Sequence, residues 1–290
     1  MYSAITANKR KTWILIFIAC AVIVVFSAVF GVAYDLDIGS SIVIGTMIAS
    51  VYSLISYYLS ARIALSTSGA KQIQKADNPE LWNLVENLCI TDGVPMPTVH
   101  IIEDPSPNAF ATGRDPEHSA IVFTTGLLAI LEKSELQGVA AHELSHVKNY
   151  DIRVMTLVVV LVGALTLLAN IFLHTRFRGS RKGGDAMIVL MLVGVLLSVL
   201  SPLIAQLIKL AVSRSHEYLA DASGALLTRY PEGLASALEK ISQANIPMQQ
   251  ANQATAHLFI MNPFAGKASK LFSTHPPVEE RIKRLRSMGG

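Results

Sequence analysis

The segment His142-Glu143-Leu144-Ser145-His146 concentrates the chemistry of this 290-residue chain. Two residues four apart on a helix stand on one face, one turn from each other. The spacing therefore predicts two imidazoles aimed at a common point. Neutral imidazole binds Zn²⁺ at about 2.0–2.1 Å. Glu143 falls beside such a metal, where a carboxylate can take a proton from an attacking water and pass it to a leaving amine. Two exposed histidines on an amphipathic helix would read the same way. Chance supplies roughly 0.01 copies of His-Glu-x-x-His in a chain with this many histidines and glutamates, so that reading is the weaker one.

A catalytic zinc site takes three protein ligands and keeps one position open. Ser213-Arg214-Ser215-His216-Glu217-Tyr218-Leu219-Ala220-Asp221 supplies the candidate third ligand. Glu217 and Asp221 share a helix face, while His216 is turned about 100° away from Glu217. Glu217 is expected to ligate. Asp221 is expected to hold the free ring nitrogen of one of the two histidines, fixing its tautomer. A solvated helix face that includes Arg214 is the competing reading.

The elements that must position these groups are apolar. The composition is 51% hydrophobic and 16% charged, with a mean hydropathy of +0.44, whereas soluble domains carry about 25% charged residues. Four apolar runs stand out, near 13–34, 41–59, 152–174 and 186–212. Each is long enough to cross a hydrocarbon layer of about 30 Å. The first exceeds the 7–15 residues or so of a signal-peptide core and is read as a retained anchor. Lys9, Arg10 and Lys11 precede it, and the short loop after it holds Asp35 and Asp37 but no Lys or Arg. That asymmetry puts the N-terminus and the region after Leu59 in the cytoplasm. The loop between the third and fourth runs disagrees, with Arg176, Arg178, Arg181 and Lys182. Either that hairpin spans against the rule or it stays embedded from the cytoplasmic side. In both cases the chain returns to the side it left. His146 lies about 9 Å before the third run and Glu217 about 7.5 Å after the fourth, at helical rise. Both ligand sets then stand at similar height above the membrane.

The polar parts are short of landmarks. A helical stripe covers Ala70 to Cys89, strands are expected over Thr98–Glu103 and Ser119–Thr124, and Ser134 is placed to cap a helix running through His146 towards Asp151. Asn262-Pro263-Phe264 and Gly266 read as a loop over the cleft. His100, His118, His174 and His257 lack partners at ligand spacing, and Cys20 and Cys89 are too differently placed to pair. A net charge of +3, dispersed along the chain, gives no reason to expect nucleic acid.

His142-Glu-Leu-Ser-His146 followed by Ser-Arg-x-x-Glu217-Tyr-x-Ala-Asp221 resembles the HtpX family of bacterial membrane zinc endopeptidases, relatives of the integral-membrane CAAX prenyl proteases. The likeness covers nearly the whole chain. It implies a mainly α membrane protein: four hydrophobic helices plus a cytoplasmic α+β gluzincin-like catalytic domain with a small sheet. The expected divisions are 1–60, a transmembrane hairpin; 61–151, the first part of the catalytic domain; 152–212, a second hydrophobic hairpin; and 213–290, the second part. The resemblance further implies one Zn²⁺ per chain, a multi-pass place in the bacterial inner or plasma membrane, and membrane-protein or unfolded polypeptide substrates, cleared under stress. Pro107-Asn108-Ala109-Phe110 is similar to the family's edge strand, where Asn108 would hold substrate backbone; a turn after Pro107 is the alternative. His275-Pro-Pro-Val-Glu-Glu-Arg281 is similar to a segment whose His and Arg approach the site. There His275 and Arg281 could stabilise an oxyanion, or His275 could contact the metal, and a Pro-rich turn before a basic helix is the bland alternative. A dedicated processing peptidase and an inactive zinc-binding membrane scaffold are the competing functions. The intact Glu143 weighs against the scaffold.

Overall fold

The computed structural model describes residues 2–33, 36–174, 213–249, 252, 254–264 and 275–289. Helix α1 (Tyr2–Ala33) and helix α2 (Ile38–Thr67) form an antiparallel hairpin. Asp37 starts α2 by accepting a hydrogen bond from the Ser40 N–H at 2.7 Å. Ser41, Gly45, Ala49, Ser56, Ser60 and Ala64 of α2 are buried, a small-residue stripe of the kind that lets two backbones approach closely. The outer faces stay apolar and exposed. Within these two helices, Ile5–Val32 and Ile38–Thr67 are long and apolar enough to cross a membrane. The expected fourth run, 186–212, and the basic loop before it lie outside the described residues.

The hairpin leads into β1 (Lys71–Gln72) and α3 (Pro79–Asp92). The helical stripe expected from Ala70 is therefore corrected. Asn78 caps α3 through the Leu81 N–H, Pro79 occupies the first turn, and the residues before them pair with a strand instead. β2 (Thr98–Ile102), β3 (Ala109–Asp115) and β4 (His118–Thr124) complete a mixed sheet in the order β1-β2-β4-β3. β2 runs parallel to β4, and β3 is antiparallel to β4, with Ala109 opposite Phe123. The segment at Ala109 is thus an edge strand.

After α4 (Thr125–Ile130) comes α5 (Lys133–Lys148), the helix that carries His-Glu-x-x-His. Its cap is Glu132, whose N–H donates to the Glu135 carboxylate at 2.8 Å, and not Ser134. Every residue from Gly138 to Val147 is buried. The helix does not run on to Asp151. Tyr150 adopts a left-handed backbone, φ 61°, and α6 (Asp151–His174) starts in a new direction. The first turns of α6 pack against Leu15 of α1, Ala64 of α2 and Phe110 and Val122 of the sheet, so one apolar core joins the hairpin to the sheet.

Three more helices close over α5. They are α7 (Arg214–Thr228), α8 (Pro231–Ala244) and α9 (Val278–Arg286), with a 3₁₀ turn at Ala256–Leu258. α9 has Glu279 and Glu280 in its first turn and Lys283, Arg284 and Arg286 in its last, matching the helix dipole. Arg286 ties it to α8 through Glu232 and Glu239, at 3.0 and 2.7 Å.

Candidate active site

α5 sets the site because its two histidines are buried, at 1% and 4% exposure, with their rings edge to face. α7 crosses α5 at Gly224, where a Cβ would come within 3.0 Å of the His142 backbone nitrogen. Only a glycine leaves that approach free of strain. The crossing brings Glu217 and Asp221, both buried, against the histidines.

Each imidazole has a carboxylate beside its Nδ1, in hydrogen-bond geometry for His146 and in close ionic approach for His142. Asp221 Oδ1 lies 3.0 Å from His142 Nδ1, and Asp151 Oδ2 lies 3.1 Å from His146 Nδ1. Both Nε2 atoms then turn to one point, 3.2 Å apart. A Glu217 oxygen stands 3.5 Å from His146 Nε2 and the other 4.0 Å from His142 Nε2. Three ligand atoms of His142, His146 and Glu217 lie within 4.8 Å of one another. Two ligands at about 2.0–2.1 Å from a tetrahedral ion are separated by about 3.3 Å, so the donor set and its spacing fit such an ion. Carboxylates behind ligating histidines are the usual outer support of such sites.

Charge is concentrated here among buried side chains. Burial pushes the Glu143 carboxyl above its ordinary value, although His142 and His146 oppose the shift. Burial also disfavours the charged form of Asp151, but its bonds from His146 and His216 win and bring it down to about 2. Asp221 is likewise opposed by burial and carried down to about 2, chiefly by Arg281.

Of the remaining expected residues, Arg281 and His275 reach the cluster and Asn108 contacts a neighbouring segment instead. Arg281, 1% exposed, donates from Nε and Nη2 to the two Asp221 oxygens at 2.9 and 2.7 Å. Its Nη1 is 3.8 Å from Glu217. His275 Nδ1 is 2.8 Å from Glu217 Oε2, and among the described residues its buried Nε2 has no partner. Asn108 lies at the start of β3 and grips the backbone of Met261, donating from Nδ2 to the carbonyl at 2.9 Å and accepting from the N–H at 3.2 Å. The Ile260 N–H donates to the Ala109 carbonyl beside it. Asn262, Pro263 and Phe264 continue from this segment, while Gly266 lies outside the described residues.

Sequence reasoning missed three residues. Asp151 stands in the sequence only as the point towards which the catalytic helix runs, and in the fold it begins the next helix. His216 is turned about 100° from Glu217 by helix geometry, and its Nδ1 lies 2.5 Å from Asp151 Oδ1. Asn8 lies far away in sequence and also donates to Asp151. The only available signal was weak: an acid five residues after His146, where a helix break could bring it back.

The fold and the donor set define a class, a metallopeptidase carried on apolar helices. Residues 75–289 match Peptidase family M48, and the chain belongs to that family. A "Protease HtpX homolog" of Tropheryma whipplei (strain Twist) is 49% identical over 292 residues, spanning 100% of this chain and 99% of the relative. One of the same name from Dictyoglomus turgidum is 46% identical, over 99% of this chain and 95% of that relative. The crystal structure of S. mikatae Ste24p is similar in fold alone, with a TM-score of 0.50 and 18% identity over 98% of this chain and 67% of that one. The protein is a membrane metalloprotease.

Proposed function

We propose that the protein is a zinc endopeptidase of a bacterial cell membrane that hydrolyses damaged or misfolded membrane proteins. One observation carries this: two buried Nε2 atoms 3.2 Å apart, with each ring's Nδ1 against a carboxylate and Glu217 alongside. His142, His146 and Glu217 would hold one Zn²⁺, with imidazole and carboxylate donors that suit this ion. When bound, the ion polarises a scissile carbonyl and the water that attacks it. Glu143 takes the proton from that water and delivers it to the leaving amine. Its raised pKa suits both halves of the task. Asp221 holds the His142 ring, and Arg281 keeps Asp221 charged. His275, with Nδ1 anchored on Glu217 and Nε2 without a partner among the described residues, would present that nitrogen to a developing oxyanion.

Asn108 would hold the substrate backbone. Its paired hydrogen bonds with Met261 support this, because a substrate strand along the edge of β3 could take the same two bonds. The chain would divide at 1–60, 61–151, 152–212 and 213–290, with four hydrophobic helices in the membrane. The catalytic part would face the cytoplasm. The Lys9-Arg10-Lys11 cluster supports that side, as does the contact of Asn8 with Asp151, which keeps the start of α1 beside the site.

The test uses full-length protein in detergent with zinc and casein as an unfolded substrate. Wild type is expected to cleave. Glu143→Gln is expected to keep its zinc and lose roughly 10²–10⁴-fold in rate, and Glu217→Ala to hold less zinc. Cleavage by Glu143→Gln at the wild-type rate removes Glu143 as the base. Unchanged metal content in Glu217→Ala removes it as a ligand.

A further inference from the structure

Asn8 is a polar residue on the first membrane-type helix, and it is 1% exposed. A buried amide without partners is costly, so its bonds matter. Both of its N–H groups are used at one place. One donates to the Asn149 carbonyl at 2.9 Å and the other to Asp151 Oδ1 at 2.6 Å. Those two acceptors flank Tyr150, the left-handed residue between α5 and α6. The Asn8 amide therefore bridges the joint at which the chain leaves the catalytic helix. Lys9 adds a cation–π contact to Tyr150, 4.6 Å from the ring centroid.

Asp151 passes the constraint inward. Its Oδ1 takes the bond from Asn8 and faces His216 Nδ1, while Oδ2 faces His146 Nδ1. With Oδ1 held from α1 on one side and α7 on the other, the carboxylate has one orientation left for Oδ2. That orientation fixes the His146 ring and aims its Nε2 at His142 and Glu217.

We propose that Asn8 is a positioning residue for the metal site, acting through Asp151 on His146, so that the first membrane helix is part of the site's support as well as an anchor. The inference rests on the reading of His146 as a metal ligand. Direct partners of ligating histidines typically contribute about 10–100-fold in affinity or activity, and Asn8 acts one contact further out, through Asp151.

Full-length wild type, Asn8→Ala, Asn8→Asp and Thr12→Ala are purified in detergent. Zinc affinity is measured by competition with a chromogenic chelator, and kcat and KM with casein. Thr12 is the control: it is buried one turn further along the same face and donates to the Asn8 carbonyl, but it makes no contact with Asp151. Asn8→Ala should weaken zinc binding by up to roughly 10-fold, the low end of what a direct partner gives, and lower kcat with little change in KM. Asn8→Asp keeps the shape but presents a carboxylate where Asp151 needs a donor, and should weaken zinc at least as much. Thr12→Ala should bind zinc as wild type does. The melting temperature of chelator-stripped protein reports folding separately; should Asn8→Ala fail to fold, Asn8→Ser is read in its place. Wild-type zinc affinity in the Asn8 variant overturns the proposal, and so does an equal loss in Thr12→Ala, which would make the effect one of helix packing. A wild type that binds no zinc overturns the metal reading itself.

Discussion

At the residue scale, the cluster is built from two pairs one helical turn apart and from three residues that reach it from other elements. His142 with His146, and Glu217 with Asp221, each announce a shared face. Asp151, His216 and Asn8 were not legible, because each reaches the site through a feature with no local pattern. Asp151 depends on the positive φ of Tyr150, and Asn8 on the docking of a distant helix. His257 shows the same limit in a different role. It lacked a partner in the sequence, and in the fold it is buried with Nε2 donating to the Met155 carbonyl at 2.9 Å. Burial pushes it down from its ordinary 6.5 to about 4. Between those values the unfolded chain binds a proton that the folded chain refuses. Stability present above pH 6.5 should therefore fall as the pH drops towards 4, by up to about 3 kcal/mol from this one group. His257→Gln should flatten that part of the profile when melting is followed against pH in the presence of chelator. An unchanged slope would remove His257 as its source.

At the element scale, long periodic segments were legible and their ends were not. The strands at 98–102 and 118–124 and the catalytic helix lie where their patterns predicted. The first helix of the polar region was expected nine residues too early. The apolar stripe of Leu81, Leu84, Val85 and Leu88 lies wholly inside α3, β1 is the polar pair Lys71–Gln72, and the Asn78-Pro79 pair marks the true start. The helix contact that assembles the site depends on Gly224, which carried no sequence signal of its own. A Cβ there meets backbone atoms of Ala141 and His142 at 3.0–3.3 Å. An alanine asks the neighbours to give slightly, but the branched side chain of valine does not fit. Gly224→Val should move α7 away from α5, take Glu217 out of reach and lower zinc stoichiometry while far-UV circular dichroism stays helical. Full zinc content in that variant would mean that the crossing tolerates more space than its geometry indicates.

At the scale of the whole molecule, two of the four apolar runs are found as helices with largely exposed apolar flanks. Phe17, Met47 and Leu54 are each more than 60% exposed, and little of either span is buried. The third run begins as α6 and is enclosed by protein over its first turns, which hydropathy alone could not separate from lipid exposure. Surfaces of this kind hold a chain in a bilayer without help from charge. After alkaline carbonate extraction of membranes the protein should stay in the pellet, and its release to the supernatant would contradict integral insertion. The candidate site has a further property that follows from where its contacts lie along the chain. Arg281 reaches His142 across 139 residues, and Asn8 reaches Asp151 across 143. Contacts of such long sequence separation close late in folding, since the loop entropy must be met before they form. Hydrolytic competence is then a product of the last folding steps. A chain stopped between Asp151 and Ser213 holds the His-Glu-x-x-His helix and its Asn8–Asp151 support, but it lacks Glu217, Asp221 and Arg281, the groups that complete the cluster.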